Sequence, residues 1–170
     1  VGTTTPGIGT ITGAMLTSTA VTDSLGYLLA ANVATRTVLK ALDTTKVTTA
    51  VLQETGREGV FVWRAGNYST QVAADTQEGV YVKATAIASS SGAWVRSYVG
   101  PASAKWFGVT GDGSTNDTAA AQVAINVALD LYFPAGSYVI STLSVVNNYQ
   151  KIRGVFGKTR FLCNSTTSDI

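Results

Sequence analysis

The most regular pattern of hydrophobic and polar positions lies at residues 44–103, where β-branched and aromatic residues recur in short runs between turn residues. Three runs repeat the order glycine, small apolar residue, aromatic residue and valine, with a basic residue close behind; they are residues 59–64, 79–83 and 92–96, and a β-branched run at 46–52 precedes them. Alternate side chains of a strand share a face, which places Phe61 and Trp63 together. The pattern predicts a small antiparallel β-meander.

The aromatic residues of these runs allow two interpretations. Indole and phenol rings can form a platform on which the apolar faces of sugar rings stack. The same rings can instead fill the core of a sheet that is covered on both faces. We favour the core, because large aromatic side chains dominate the energetics of burial in small domains.

The preceding segment, residues 1–43, has a different composition. Residues 1–22 are rich in Thr, Gly and Ala with almost no charge, which is typical of an extended arm that orders against a partner, or of a disordered terminus. Asp23 or Ser24 can cap a helix that begins at Leu25 and continues through Asn32. A second short helix follows, with Thr35 as its cap. Together they predict an arm with two short helices that bury little surface unless several copies associate.

After Ser103 the chain changes pattern again. Gly111–Gly113 is a tight turn, and Asn116 or Asp117 can cap a helix that runs to about Asp130. Its narrow apolar stripe consists of Ala121, Ala124, Ile125, Ala128 and Leu129. Strands follow at residues 131–133 and from 138, separated by a Pro-Ala-Gly turn. A small-faced helix of this kind suits the end of a β structure, where it covers unpaired strand edges.

Composition then narrows the classes of function. Hydrophobic residues make up 45% of the chain and charged residues only 13%, against about 25% in typical domains. So few charges indicate a surface that partners cover in part, with a neutral Thr- and Ser-rich surface as the alternative. The net charge of +2 without a long basic run argues against nucleic acid. No apolar run is long enough to insert into a membrane.

The sequence offers few residues that could catalyse a reaction or bind a metal or cofactor. The chain has no histidine and one cysteine, Cys163, which excludes an intrachain disulfide, the common zinc sites and a Ser-His-Asp triad. We expect Cys163 to be a small buried residue of a strand. Dinucleotide, calcium-loop and P-loop motifs each fail at a required position. Asp112 and Asp117 are conceivable as a pair of catalytic carboxylates, but roles in a turn and a helix cap explain them. We therefore assign no catalytic, cofactor-binding or metal-binding residue, and we predict no cofactor.

Several motifs together resemble a known family. They are Trp106-Phe107-Gly108, Gly111-Asp112-Gly113, Asn116-Asp117-Thr118, Phe133-Pro134, Gly136-Ser137-Tyr138 and Ile152-Arg153-Gly154, with upstream matches at residues 35–42, 54–63 and 91–96. This set resembles the N-terminal part of bacteriophage tailspike or tail fibre proteins with a pectate-lyase-like domain, a right-handed parallel β-helix. Two positions depart from the family: Asn116 is more often Asp there, and Ala121 is often Ile.

The resemblance implies a mainly β fold with short helices, divided into three parts. Residues 1–43 would anchor the protein to the virion, residues 44–103 would form an antiparallel β connector, and residues 104–170 would form the N-terminal cap and first coils of the β-helix. The resemblance also implies a homotrimer that contacts phage tail or baseplate proteins and, through further coils, a host polysaccharide. We expect those coils to follow Ile170 and to carry any catalytic acids, since the family has them on later coils.

Two other functions stay open. The protein can be a free bacterial polysaccharide lyase or glycoside hydrolase with an accessory domain. It can also be a fibre on the head or tail that binds without cleaving. The sequence leaves undecided whether the whole protein is an enzyme, and by which reaction and on which glycan it would act.

Overall fold

The computed structural model of the chain describes residues 30–145 and 148–163. The first part, the sheet module (residues 30–97), contains a five-stranded mixed sheet and two short helices. In chain order its elements are β1 (Ala31–Val33), α1 (Arg36–Ala41), β2 (Thr49–Leu52), β3 (Gly59–Ala65), α2 (Ser69–Ala74), β4 (Tyr81–Val82) and β5 (Gly92–Ser97). The spatial order is β1-β2-β3-β5-β4. β1 runs parallel to β2, and all other neighbours are antiparallel.

The four predicted strands are confirmed, but the predicted meander is wrong. In a meander β4 would lie beside β3, whereas β5 lies between them. The chain leaves β3 through α2, reaches the far edge of the sheet at β4, and then returns as β5 to the middle. β5 can occupy this position because its consecutive residues Ala93 and Trp94, which point to opposite faces, are both buried, as a central strand covered on both faces requires.

The N-terminal prediction is partly wrong. Leu25–Leu29 of the first predicted helix, and the arm at residues 1–22, lie outside the described residues. Ala31–Val33, however, form strand β1 and not the end of a helix. Pairing with β2 buries Ala31 and Val33 and leaves Asn32 exposed, which is the two-residue period of a half-buried strand. The second helix is confirmed, since the Thr35 hydroxyl accepts a hydrogen bond from the amide of Val38 at 3.3 Å.

The aromatic residues of the sheet form a core. Phe61 and Trp94 are completely buried. Trp63 and Trp94 face each other across β3 and β5, with ring centroids 5.6 Å apart in an edge-to-face arrangement. Because such rings are inaccessible to a ligand, Phe61 and Trp94 belong to the core and not to a sugar platform.

The second part, the coil stack (residues 102–163 where described), consists of parallel coils. Its elements are β6 (Ala102–Ser103), a 3-10 turn (Ala104–Phe107), β7 (Asp112–Asn116), α3 (Thr118–Val127), β8 (Asp130–Phe133), β9 (Gly136–Ile140), β10 (Lys151–Gly154) and β11 (Thr159–Cys163). They form two parallel sheets, ordered β10-β8-β6 and β11-β9-β7. Each successive coil therefore adds one strand to each sheet, which is the construction of a parallel β-helix.

Helix α3 covers the first coil. Its buried residues Ala121, Ala124 and Ile125 pack in one cluster with Leu131 and Tyr138 of the coils. Small side chains on this face allow the helix to lie close to the strands beneath it. The helix ends at Val127 and not near Asp130, because Asp130 already pairs with Lys151 of the third coil. The predicted stripe is accordingly too long: Leu129 lies beyond the helix and is 59% exposed.

The third coil differs from the second in burial. Its inward positions align with buried residues of the second coil: Ile152 with Leu131, and Phe161 with Tyr138. Yet Ile152 is 44% and Phe161 is 51% exposed. Cys163 is also exposed, so the prediction that it is buried is wrong. It does lie in a strand, but on a coil whose inward side is uncovered within the described part of the chain.

Candidate functional site at the junction of sheet module and coil stack

The described part of the chain has two hydrophobic cores, and the sheet module meets the coil stack at a junction where Val80 of the module enters the core of the stack. One core contains Phe61 and Trp94 of the sheet module, and the other contains Phe107 and Tyr138 of the coil stack. Arg96 and Asp75 are buried between them although both are charged. Buried charges are rare unless they are paired or fully hydrogen-bonded, so this junction is the most unusual chemical environment in the described chain.

Arg96 is held by backbone carbonyls and by aromatic rings. Its Nε donates to the carbonyl of Gly79 at 2.5 Å, and its two terminal nitrogens donate to the carbonyls of Glu58 and Arg57 at 2.7 and 2.8 Å. Its guanidinium carbon lies 4.5 Å from the ring centroid of Phe61 and 4.4 Å from that of Trp106. Burial lowers the pKa of Arg96 to about 10, which leaves the side chain charged at neutral pH.

Arg57 makes the direct polar bridge between the two parts. Its Nη1 donates to the carbonyl of Gln77 in the sheet module at 2.6 Å and to the carbonyl of Trp106 in the coil stack at 2.5 Å. Burial, followed by the nearby charge of Arg36, lowers the pKa of Arg57. We call Arg57 and Arg96 the arginine layer, since together they occupy the polar space between the cores.

Asp75 stabilises the loop at residues 77–81, whose carbonyls accept hydrogen bonds from Arg57 and Arg96. Its carboxylate accepts hydrogen bonds from the amides of Gly79 at 3.0 Å, Val80 at 2.7 Å and Tyr81 at 2.8 Å. These bonds hold Val80 and Tyr81 against the core of the coil stack. Gly79 lies directly on Phe107, because a Cβ atom there would be 2.5 Å from a ring carbon. The loop therefore requires glycine at this position.

Two further cations reach the same loop from helix α1. Arg36 donates to the carbonyl of Gln77 at 2.8 Å and forms a close ion pair with Glu54, with a nitrogen–oxygen distance of 3.0 Å. Lys40 pairs with Glu78 at 2.9 Å. Glu78 adopts a left-handed backbone conformation with φ of 56°, which is uncommon for a residue other than glycine. Helix α1 is thus bound to the same loop, residues 77–79, that accepts hydrogen bonds from Arg57 and Arg96.

At the entrance of the coil stack, Asp117 has a different role from the predicted one. It is the first residue before helix α3, but its side chain does not bind the helix amides. The buried carboxylate instead accepts hydrogen bonds from the amide of Thr110 at 2.6 Å, the Thr110 hydroxyl at 2.7 Å and the amide of Gly111 at 2.9 Å. The amide of Thr118 binds the side chain of Asn116 at 3.0 Å. Asp117 therefore joins the incoming loop to the helix start.

Asp112 forms the predicted turn on the surface. Its carboxylate accepts hydrogen bonds from the amides of Ser114 at 2.8 Å and Thr115 at 2.7 Å, and from the Thr115 hydroxyl at 2.7 Å. These bonds, those of Thr115 first, hold the pKa of Asp112 far below its ordinary value. Asp112 and Asp117 thus each accept three local hydrogen bonds, Asp112 within a surface turn and Asp117 between the incoming loop and the helix start.

The described residues contain no cluster of acidic, cysteine or histidine side chains that could hold a metal ion. No described helix has the length and apolar character needed to cross a membrane. A small open cleft of 170 Å³ lies between α2 and the end of α3, where it is lined by Gln71, Tyr81 and Asn126 among others. Its lining offers hydrogen-bonding amides but no paired acid and base.

Sequence reasoning missed the arginine layer. One available signal was the period of β5, because Trp94 and Arg96 are two residues apart and share a face of the strand. An arginine in phase with a core tryptophan indicates a buried cation. Arg57 gave no comparable signal, since it lies in a turn and reaches its partners Gln77 and Trp106 only through the folded chain.

A mixed sheet joined to a helix-covered stack of parallel coils defines the class of this protein as one with a tailspike-like parallel β-helix fold. No protein-family model and no curated protein matches the sequence. Solved structures do match it, at low sequence identity, and one of them is described as having a tailspike-like parallel β-helix fold.

Three of these structures are informative. Tailspike protein 2 of Escherichia coli O157:H7 bacteriophage CAB120 has 19% identity and a TM-score of 0.52 over 71% of this chain and 15% of its own. Tailspike protein gp49 of Acinetobacter baumannii bacteriophage Fri1, a capsular polysaccharide depolymerase, has 15% identity and a TM-score of 0.52 over 73% of this chain and 23% of its own. WceF of Pantoea stewartii, a glycan biofilm modifying enzyme with a tailspike-like parallel β-helix fold, has 16% identity and a TM-score of 0.53 over 84% of this chain and 23% of its own.

These matches confirm the resemblance to phage tailspike proteins at the level of the fold. The chain spans less than a quarter of the length of each of the three structures. Identities of this size relate folds and do not transfer residue roles.

Proposed function

We propose that the chain is the virion-proximal part of a trimeric phage tailspike or receptor-binding fibre, which attaches to the particle and carries a β-helix that recognises a host polysaccharide. The single observation that carries this proposal is the junction. A sheet module is joined through the buried Arg96 and the half-buried Arg57 to a coil stack whose first coil is covered by a helix. This arrangement gives a stack with a closed end on the side of the module and an extendable end on the other.

Recognition of polysaccharide would belong to coils beyond the described ones. The exposed inward residues Ile152 and Phe161 of the third coil support this part of the proposal. A further coil would bury them, as the third coil buries Leu131 and Tyr138. Two of the similar structures are described as acting on glycans. Whether this protein also cleaves its glycan depends on catalytic acids that we place on the later coils.

Trimerisation and attachment are further parts of the proposal. We keep the three-part division in the proposal: residues 1–43 as anchor, 44–103 as connector and 104–170 as the opening of the β-helix. Strand β1 and helix α1 of the anchor segment pack in the sheet module. Only 13% of residues are charged, which suits a chain whose surface is largely covered by copies of itself and by tail proteins. Three equivalent glycan sites on one particle-bound spike would raise a weak sugar affinity through avidity. The protein would then act outside the host cell as a component of the phage tail.

A second function has its own supporting observation. WceF comes from a bacterium, is described as a glycan biofilm modifying enzyme, and covers 84% of this chain. A free bacterial lyase or hydrolase that modifies glycans is therefore the leading alternative, and a non-enzymatic head or tail fibre is another.

Two measurements on the full-length protein separate these functions. Immunogold electron microscopy of purified phage particles should place the protein on the tail, and its native mass should be that of a trimer. An unlabelled particle, or a monomeric mass, would refute the virion spike. Incubation with host capsule should show saturable binding, and shortening of the glycan would distinguish an enzyme from a fibre that only binds.

A further inference from the structure

We propose that the arginine layer is an orientation lock, meaning a set of directional bonds that fixes the angle of the sheet module relative to the axis of the coil stack. This inference goes beyond the proposed function, because it concerns how two folded parts are held and not what the protein binds. It rests on the contacts that Arg57 and Arg96 each make with both parts at the junction.

The covalent connection by itself does not set this angle. Between β5 and β6 the chain passes through residues 98–101. Val99 in this connection is fully exposed, and Gly100 has a φ of 84° with open space around it. Nothing therefore buries the middle of the connection, and non-covalent contacts must hold the two parts in one orientation.

Hydrophobic contact stabilises the association of the two parts but does not select one angle between them, because the burial of apolar surface is non-directional. A guanidinium is different, since its donors point along fixed directions in one plane. Arg96 uses this geometry on three carbonyls of the sheet module while its plane contacts Trp106 of the coil stack. Arg57 completes the link, because one of its nitrogens binds a carbonyl on each side.

The surrounding residues leave the guanidinium groups little freedom. A Cβ atom at Gly59 would collide with Arg96, and one at Gly108 would collide with Arg57. Arg96 also has no carboxylate partner among its hydrogen bonds. An apolar side chain of similar size would therefore fill the space with a smaller desolvation cost. We infer that Arg57 and Arg96 mainly fix the orientation of the sheet module relative to the coil stack and add less to the strength of their association.

The test is a distance distribution measured on the full-length protein by pulsed electron spin resonance. One spin label is placed on α1 through Thr37→Cys, and the other on the outward side of β11 through Arg160→Cys, since both positions are exposed. Cys163 and any further cysteine are replaced by alanine. Labelled chains are diluted into unlabelled ones so that distances between protomers do not contribute. The wild-type protein should give a single narrow distance.

Arg96→Met and Arg57→Met should each broaden the distribution or add a second maximum, while the circular dichroism spectrum stays unchanged. Arg64→Met is the matched control, because Arg64 is an exposed arginine of β3, and it should leave the distribution narrow. Distributions for Arg96→Met and Arg57→Met as narrow as that of the wild type would overturn the lock. If Arg96→Met does not fold, Arg57→Met decides by itself, since Arg57 contacts the backbone on both sides and enters neither core.

Discussion

The hydrogen bonds of Asp117 allow a quantitative prediction about the entrance of the coil stack. Replacement of Asp117 by alanine removes an acceptor from two amides, those of Thr110 and Gly111, and from the Thr110 hydroxyl. Loss of a charged acceptor from partly buried donors costs about 1–3 kcal/mol for each group, with partial recovery through water. We expect Asp117→Ala to lower the local free energy of opening by about 2–3 kcal/mol.

Hydrogen exchange measured by mass spectrometry is a suitable assay, because it reports local opening without unfolding of the whole protein. The reporter is the amide of Ser137, which binds the carbonyl of Gly111 at 3.0 Å and does not touch the mutated side chain. A loss of about 2–3 kcal/mol should speed its exchange roughly 30- to 150-fold, at tenfold for each 1.4 kcal/mol.

Asp112→Ala is the matched control for this prediction. Asp112 also accepts three hydrogen bonds, but at the exposed surface, where water can replace the carboxylate. Its removal should change the exchange of Ser137 only roughly two- to fivefold. Equal effects of the two substitutions on Ser137 would refute the reasoning that burial makes the Asp117 bonds strong.

Three further predictions concern pH and glycine. Since the pKa of Asp112 lies far below its ordinary 3.8, its turn should persist down to that pH and weaken only below it; an Asp112 carboxyl resonance that titrates near 3.8 in NMR would contradict this. Burial alone would raise the pKa of Glu54, but hydrogen bonds from Arg36 outweigh it and lower the pKa below 4.5. The ionised Glu54 should therefore stabilise the folded protein above pH 4.5, and this stabilisation should be lost as the pH falls further. In thermal melts, Glu54→Gln should abolish this part of the decrease in melting temperature at acid pH. Gly111→Ala should destabilise more than Gly157→Ala: both have a positive φ, but a Cβ at Gly111 would lie 2.7 Å from Cζ of a tyrosine ring, whereas Gly157 has open space. The added cost should exceed the ~1 kcal/mol of the backbone term alone, and equal melting temperatures would show that the ring moves aside.

Much of the fold follows from local pattern. The runs at residues 59–64 and 92–96 became strands β3 and β5, and the small apolar stripe after Asp117 became helix α3 over the first coil. These elements depend on side-chain period and on residues near in sequence, both of which can be read directly. The aromatic core of the sheet followed from the same period, because a ring on the inner face of a short sheet has few alternatives to burial.

Other features depended on partners distant in sequence. Ala31–Val33 have a pattern compatible with a helix, and pairing with β2 made them a strand. Asp117 occupies the position of a helix cap, yet its carboxylate turns to Thr110 and Gly111, since these donors come within 2.6 and 2.9 Å of it. The exposure of Cys163 likewise depends on which coil covers it and not on the residue itself.

The sequence by itself determined the types of most elements, the mainly β character of the fold and the lack of histidine in these 170 residues. Only the tertiary structure decided the order of strands in the sheet, the register in which the coils pair, and the position of the buried Arg96 and the half-buried Arg57 at the junction. The physical reason is the distance along the sequence over which each interaction acts. Period, turn and capping preferences act over a few residues, whereas strand order and the satisfaction of a buried charge depend on groups that are brought together only when the chain has folded.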